Sequence, residues 1–313
     1  MRRCKICQKE AVVFFKSHRI SLCEEHLKSF VEKRVKEAIK SHKMINRGEK
    51  ILIAVSGGKD SLSLWQILTN LGYEADGMFI DLGIPGFSQE SWEKCEKLSR
   101  RLSRKLFKTS LEEIFGMNLL DIAKLERRVP CASCGMIKRY IMNNFALKNG
   151  YKVIATGHHL DDECSILLGN VLNWQVEYLR RQDPSLKEEN GFVRKIKPLV
   201  LCSEEEIENY ARVMNIDHVG KGCPLSKGAT SHFYKSIMNQ IEEKMPGTKL
   251  RFYKGFLKIK KDTFGDEKPA ELKPCIRCGY PTTAEICSFC RLHERIKTKI
   301  SQQNPEKMEE PLS

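Results

Sequence analysis

Ile51–Leu52–Ile53–Ala54–Val55 are all apolar, and a polar, glycine-rich stretch, Ser56–Gly57–Gly58–Lys59–Asp60–Ser61, follows at once. Leu62, Leu64, Trp65, Ile67 and Leu68 come next at helical spacing. A short, wholly apolar run reads as a buried parallel strand, and the recurrence behind it as an amphipathic helix. The alternation continues. Ala75–Asp81 reads as a second strand, 90–104 as a helix, Leu106–Lys108 as a short strand, and 137–147 as a helix. Tyr151–Thr156 is a strand, followed by Gly157–His158–His159–Leu160–Asp161–Asp162 and a helix over 164–172. Phe192–Leu199 is extended and basic. Helices are expected over 204–214, with Ser203 as N-cap and Glu206 three positions on, over 230–243 and over 248–261. The pattern predicts an α/β fold, a doubly wound parallel sheet with helices on both faces. Ligands of such sheets sit beyond the carboxyl ends of the strands. The loops after residues 55, 80 and 156 converge there and bring Asp81 and His158 to the same place.

Both flanks carry metal-ligand spacing. Cys4-x2-Cys7 and Cys23-x2-His26 enclose two short apolar runs that read as a hairpin. Such a unit is too small to bury a core, so a tetrahedral zinc ion would supply its folding energy. His18 lies off this spacing and reads as a surface or packing residue. Leu27, Phe30, Val31, Val35, Ala38 and Ile39 predict a helix over 27–45 that joins the unit to the main domain. At the other end Cys275-x2-Cys278-x8-Cys287-x2-Cys290 has the spacing of a zinc ribbon. The expected division is an N-terminal zinc finger over 1–30, a catalytic domain with its linking helix over 31–261, a linker over 262–274, and a ribbon over 275–300. The polar residues after it read as a frayed tail.

Composition narrows the picture. The chain has 313 residues, 41% apolar, with a net charge of +14. That charge fits a polyanionic partner. Arg100, Arg101, Arg104 and Lys105 form one candidate patch, and Arg194, Lys195 and Lys197 another. The six Lys or Arg of 248–261 mark either an RNA-facing helix or a solvated face. No apolar run approaches the length of a membrane helix, and the start, Met1–Arg2–Arg3–Cys4, lacks a signal-peptide core. A cytoplasmic protein without membrane contact is expected. Thirteen cysteines in a reducing compartment call for metal or redox chemistry rather than disulfides.

Two glycines, two serines and a lysine meeting at a helix start are a recipe for holding phosphate. The stretch is neither a Walker A loop nor a dinucleotide fingerprint. Six cysteines lie outside the zinc sets. Cys95, Cys164 and Cys202 sit within helical patterns and read as small buried apolar residues. Cys131 and Cys134 open a helix behind Pro130, and Cys223 precedes Pro224 in a turn. By spacing alone Cys131 and Cys134 could be a redox pair, either could share a persulfide with Cys223, or all three could hold a 4Fe–4S cluster.

The stretch Ser56–Ser61 resembles the pyrophosphate loop of N-type ATP pyrophosphatases, which activate substrates as adenylates. Together with the Cys/His pairs at the N-terminus, Cys131-x2-Cys134, the segment 157–162, Cys223–Pro224 and the C-terminal ribbon, it makes nearly the whole chain similar to the tRNA 2-thiouridine synthetase family, TtuA. The resemblance implies ATP-dependent replacement of the C2 oxygen of a tRNA uridine by sulfur, at uridine 54 of the T-loop. It implies a 4Fe–4S cluster on Cys131, Cys134 and Cys223, active-site roles for Lys138, Asp161 and Asp162, and a homodimer. Sulfur would come from a ubiquitin-like protein with a C-terminal thiocarboxylate. ATP would be the co-substrate, its phosphates cradled by Ser56–Ser61, with Mg²⁺ on Asp60 and one of Asp161 or Asp162. The competing readings are thiolation of uridine 34 in the anticodon, persulfide chemistry without a cluster, and a non-catalytic zinc-containing RNA-binding protein.

Overall fold

A computed structural model describes residues 2–189, 191–226, 230–265 and 271–303. The chain opens with an antiparallel hairpin, β1 (Val13–Phe15) and β2 (Ile20–Leu22). Helix α1 (Glu24–Ser41) follows, with Leu27, Val31, Val35, Ala38 and Ile39 buried along one stripe. It begins and ends earlier than the apolar pattern suggests. Glu24 and Glu25 fill its first turn, where acidic side chains suit the helix dipole, and Lys43 enters the left-handed region (φ 47°) just past its end.

The central sheet has six strands, built from β3 (Ile51–Val55), β4 (Ala75–Asp81), β5 (Leu106–Ser110), β6 (Val153–Ala155), β7 (Ser185–Leu186) and β8 (Arg194–Ile196). Its order is β5-β4-β3-β6-β8-β7, all neighbours parallel except β7 against β8. The chain moves outward from β3 through β4 to β5. It then crosses back to lay β6 on the other side of β3, with Ile51, Leu52 and Ile53 opposite Val153, Ile154 and Ala155. The order reverses between β3 and β6, so the loops leaving these strands border one crevice.

Helices cover both faces. Those between strands are α2 (Lys59–Asn70), α3 (Phe87–Leu102), α4 (Leu111–Phe115), α5 (Leu119–Glu126), α6 (Pro130–Lys148), α7 (Leu160–Leu172) and α8 (Val176–Arg181). After β8 come α9 (Glu204–Val213), α10 (Thr230–Lys244) and α11 (Thr248–Phe264). The two-residue period of β3 sorts the core. Ile51, Ile53 and Val55 face a cluster with α1, α2, α7 and α9, whereas Leu52 faces α4, α5 and α6 on the other side. Cys95, Cys164 and Cys202 are fully buried, and burial pushes the Cys95 thiol up to about 12.

The short helices α4, α5 and α8 lie where the pattern gave no helix. Cap chemistry makes two of them. Ser110 and Glu113 form a reciprocal capping box, and Asn118 accepts from the Asp121 amide. At the C-terminus a hairpin of β9 (Lys273–Pro274) and β10 (Pro281–Thr282) precedes α12 (Ser288–Gln303). This helix lies within the expected ribbon except for its last three residues, and it is docked, since Leu292 and Ile296 are buried in the core beside α4 and α6. The middle of the expected linker, 266–270, and the tail, 304–313, lie outside the described residues. Among the described residues no helix is long and apolar enough to cross a membrane.

Candidate active site

The loop after β3 is shaped by backbone contacts that leave no room for side chains. Gly57 has φ 76°, and a Cβ there would lie 2.6 Å from Ser91 Cα. Across the crevice a Cβ on Gly157 would lie 2.8 Å from the Ser61 amide nitrogen. Both positions therefore require glycine. Ser56 N–H donates to Ser61 Oγ (3.1 Å), and Ser61 Oγ donates to the Gly58 carbonyl (3.2 Å). Gly58 occupies the N-cap of α2 and offers no side chain to the first helical amides. Among the described residues no acceptor occupies those amides, and they can meet an anion.

This loop forms one wall of a cavity of about 1500 Å³, to which Ser56, Gly58, Asp60 and Ser61 contribute. Thr156, His158 and Asp162 line it from the β6–α7 segment, and Gly135 and Lys138 from α6. His158 Nδ1 pairs with Thr156 Oγ1 at 2.8 Å. Burial and the nearby Lys197 charge lower its pKa, so the ring is neutral near pH 7.

Lys59 is not on the cavity wall. Its ammonium donates to Glu204 (2.9 Å) and lies 3.2 Å from Asp60. Glu204 in turn pairs with Lys235 (2.9 Å), Lys235 with Asp162 (3.1 Å), Asp162 with His159 (3.4 Å), and His159 with Asp60 (3.9 Å). Six side chains from α2, α7, α9, α10 and the residue before α7 thus form a closed ring of alternating charge. Burial opposes the charge on Glu204, but Lys235 and Lys59 outweigh it and pull its carboxyl down to about 2. His159 lies in the segment 157–162, whereas Glu204 and Lys235 carry no motif spacing. The acidic first turn of α9, Glu204–Glu205–Glu206, is the one sequence signal that bears on them.

The two adjacent aspartates part company. Asp162 faces the large cavity. Asp161 is 3% exposed, pairs with Lys249, and accepts the Glu204 amide at 2.8 Å. It borders a separate hollow of about 440 Å³. Asp81, at the end of β4, accepts from the Gly83 amide (2.9 Å) and pairs with Lys108 (3.3 Å). Burial works against its ionisation, and these partners outweigh it and lower its pKa.

Cys131 and Cys134 occupy the first turns of α6, which contain no acidic residue. Cys131 Sγ contacts the Leu225 carbonyl at 3.4 Å, and Ser226 Oγ donates to the Cys223 carbonyl at 2.7 Å. The turn of Cys223 is thus laid against the start of α6. Burial raises the Cys134 pKa. Lys138, one turn on, works against this, while the charges of Cys223 and Cys131 reinforce it. Lys138 is therefore shared between the cavity and the cysteines.

The two end sets are tighter. The ligand atoms of Cys4, Cys7, Cys23 and His26 lie within 4.8 Å of one another, as do those of Cys275, Cys278, Cys287 and Cys290. Burial resists ionisation of Cys4 and Cys275, but surrounding amide N–H groups prevail and bring both to about 6. Each set can hold one metal ion. Cys131, Cys134 and Cys223 do not form such a close set among the described residues. His18 packs edge-on to Phe30 (5.2 Å) and pairs with the buried Glu206 (2.7 Å). Of the expected basic patches, Arg101 and Arg104 donate to backbone carbonyls, Arg100 pairs with Glu96, Arg194 with Glu49 and Lys197 with Glu163.

A parallel sheet with its phosphate-binding loop at the switch point defines a PP-loop nucleotide-binding domain, and the PP-loop domain family matches residues 27–221. Residues 3–28 match the N-terminal LIM domain of 2-thiouridine synthetase TtuA. The chain is 48% identical to a tRNA-5-methyluridine(54) 2-sulfurtransferase of Thermotoga maritima, over 95% of this chain and 98% of that one. It is 42% identical to the protein of the same name in Thermus thermophilus, over 94% and 91%. The fold is shared with the uridine-34 tRNA thiolase NcsA of Methanococcus maripaludis, solved with its 4Fe–4S cluster (TM-score 0.79, 23% identity, 94% and 96% covered). The chain belongs to the TtuA family of 2-thiouridine synthetases.

Proposed function

We propose that this chain is an ATP-dependent tRNA 2-sulfurtransferase that replaces the C2 oxygen of uridine 54 by sulfur. The observation that carries the reading is a single cavity. The pyrophosphate loop forms one wall, and the helix that bears Cys131 and Cys134 forms another.

The uridine C2 oxygen is a poor leaving group, and transfer of AMP to it makes it a good one. The amides of α2 and the hydroxyls of Ser56 and Ser61 receive the β and γ phosphates as pyrophosphate departs. Lys59 leaves Glu204 to join them. Asp60 Oδ1 is buried and accepts no well-aligned hydrogen bond among the described residues, with the Lys59 ammonium beside it at 3.2 Å, and Asp162 faces the same space. These two carboxylates fit Mg²⁺, which would neutralise phosphate charge there. Asp161, engaged with Lys249 and the α9 amide, holds α7 and α9 in register. Lys138 stabilises the negative charge that grows as the uridine oxygen attacks the α-phosphate and as AMP leaves.

Cys131, Cys134 and Cys223 fit a 4Fe–4S cluster, which when bound supplies an iron without a protein ligand to hold the incoming sulfur. The two end sets fit structural zinc, with every coordination position taken by protein. In the same reading the donor is a ubiquitin-like thiocarboxylate protein, and the enzyme acts as a cytoplasmic homodimer.

The test is anaerobic purification with assay of iron, acid-labile sulfide, zinc and 2-thiolation of tRNA. The expected content is about four irons and about two zincs per chain, and ATP-dependent sulfur at uridine 54. Cys223→Ser should lose iron and keep zinc. Full iron retention in that variant removes Cys223 from the ligand set. No iron after reconstitution, together with a reactive persulfide, overturns the cluster assignment.

A further inference from the structure

The large cavity is unevenly charged. Near the pyrophosphate loop each ammonium is matched: Lys59 by Glu204 and Asp60, Lys235 by Glu204 and Asp162. At the far wall, built by α6 and β8, Lys138, Arg139 and Lys195 converge. Lys195 stands out from its own strand. Arg194 and Lys197 beside it are held by Glu49 and Glu163 at 2.7 and 2.8 Å. Lys195 pairs in register with Ile154 of β6 and Leu186 of β7, and all three residues line the cavity. It has no hydrogen bond or ion pair among the described residues. The charged groups that bear on it are Lys197 just past its own strand, Arg139 on α6 and Glu163 on α7, with the neutral His158 alongside. Burial, then Lys197 and Arg139, draw its ammonium down to about 8.

A half-buried ammonium that shares a cavity wall with a guanidinium and has no anionic partner gains from one. The nucleotide phosphates already have their donors at the β3 loop. Lys195 lies beyond β6, on the opposite side of the switch point. Of the other anions in the proposed reaction, the donor's thiocarboxylate delivers its sulfur at the cysteine triad, and the RNA strand carries one fixed charge on each phosphodiester. We propose that Lys195, with Arg139 beside it, grips a backbone phosphate of the strand that delivers the target uridine into the cavity. This rests on the reading of the substrate as tRNA.

The test uses the full chain with Lys195→Met and Lys195→Arg, and measures equilibrium binding of a tRNA transcript and of AMP. Lys195→Met should weaken tRNA binding about tenfold at low salt and reduce the salt slope by about one. AMP affinity, metal content and melting temperature should stay as in the wild type. Lys195→Arg should restore tRNA binding. The wild type should lose tRNA affinity as pH rises through about 8, and the arginine variant should not. Unchanged tRNA binding in Lys195→Met, weakened AMP binding instead, or failure of Lys195→Arg to rescue would each overturn the assignment. A wild-type chain that binds tRNA yet never thiolates it would overturn the enzymatic reading, and the binding arms would still decide the role of Lys195.

Discussion

The ammonium of Lys59, in the phosphate loop, lies 2.9 Å from the carboxylate of Glu204, the first residue of a helix far along the chain. A cation that the loop would offer to phosphate is held by a protein anion. Nucleotide entry must exchange one partner for the other.

Neutralising the competitor should ease that exchange. Glu204→Gln is expected to tighten ATP binding by roughly three- to tenfold, the worth of one partly exposed ion pair, read by calorimetry. Weaker binding would mean that Glu204 aims Lys59 at the phosphates. The same carboxylate links folding to pH. Its pKa is depressed to about 2 in the folded chain, from an ordinary value of 4.5. Its contribution is therefore complete above about 4.5 and disappears as pH falls through about 2. Acid unfolding of Glu204→Gln should lose that part of the wild-type slope.

Removal of the lysine itself should be severe. Lys59→Ala is expected to slow tRNA-dependent AMP formation by about a hundredfold or more, while iron and zinc contents match the wild type. Normal turnover would take Lys59 out of the phosphate site.

The C-terminal unit bears directly on the cysteine helix. Tyr140 of α6 stacks on Phe289 of α12 with ring centroids 3.7 Å apart and planes 7° apart. Tyr280 lies against the same tyrosine at 4.7 Å. Phe289→Ala should destabilise the chain by about 3 kcal/mol and loosen α6. Removal of the metal from Cys275, Cys278, Cys287 and Cys290 should accelerate loss of iron from the distant triad. An iron loss rate indifferent to the C-terminal metal would show that α6 stands without it.

Glu206 is 1% exposed and bound to His18 (2.7 Å), to Arg34 (3.3 Å) and to the Ser203 amide (2.9 Å). Glu206→Ala strands a buried guanidinium and should cost about 3 kcal/mol in chemical denaturation. Glu206→Gln, which keeps the hydrogen-bonding shape, should cost less. Equal losses would mean that packing rather than charge matters there.

Chemistry written in consecutive residues was legible before any coordinates. The apolar run before Ser56, the glycines after it and the paired cysteines at each end depend on neighbours within a few positions. The capping box of α9 was legible for the same reason. The charge ring is not, because Lys59 and Glu204 are 145 positions apart, and nothing in the stretch around Glu204 points back to the phosphate loop. His18 reads as a stray histidine until the fold brings it to Glu206, 188 positions away. The docking of α12 is not legible either, because its apolar residues are sparse. Their value comes from the aromatic rings of α6 that receive them.

Gly157 presses against Ser61, although it leaves the ribosome long after the phosphate loop does. Glu204 and Lys235 emerge later still. A growing chain that ends before α6 carries the full glycine-rich loop without its far wall, and one that ends before α10 has both walls but lacks Lys235, so its ring of charges is open. The ring that holds Lys59 therefore closes only when one of the last helices of the domain has been made.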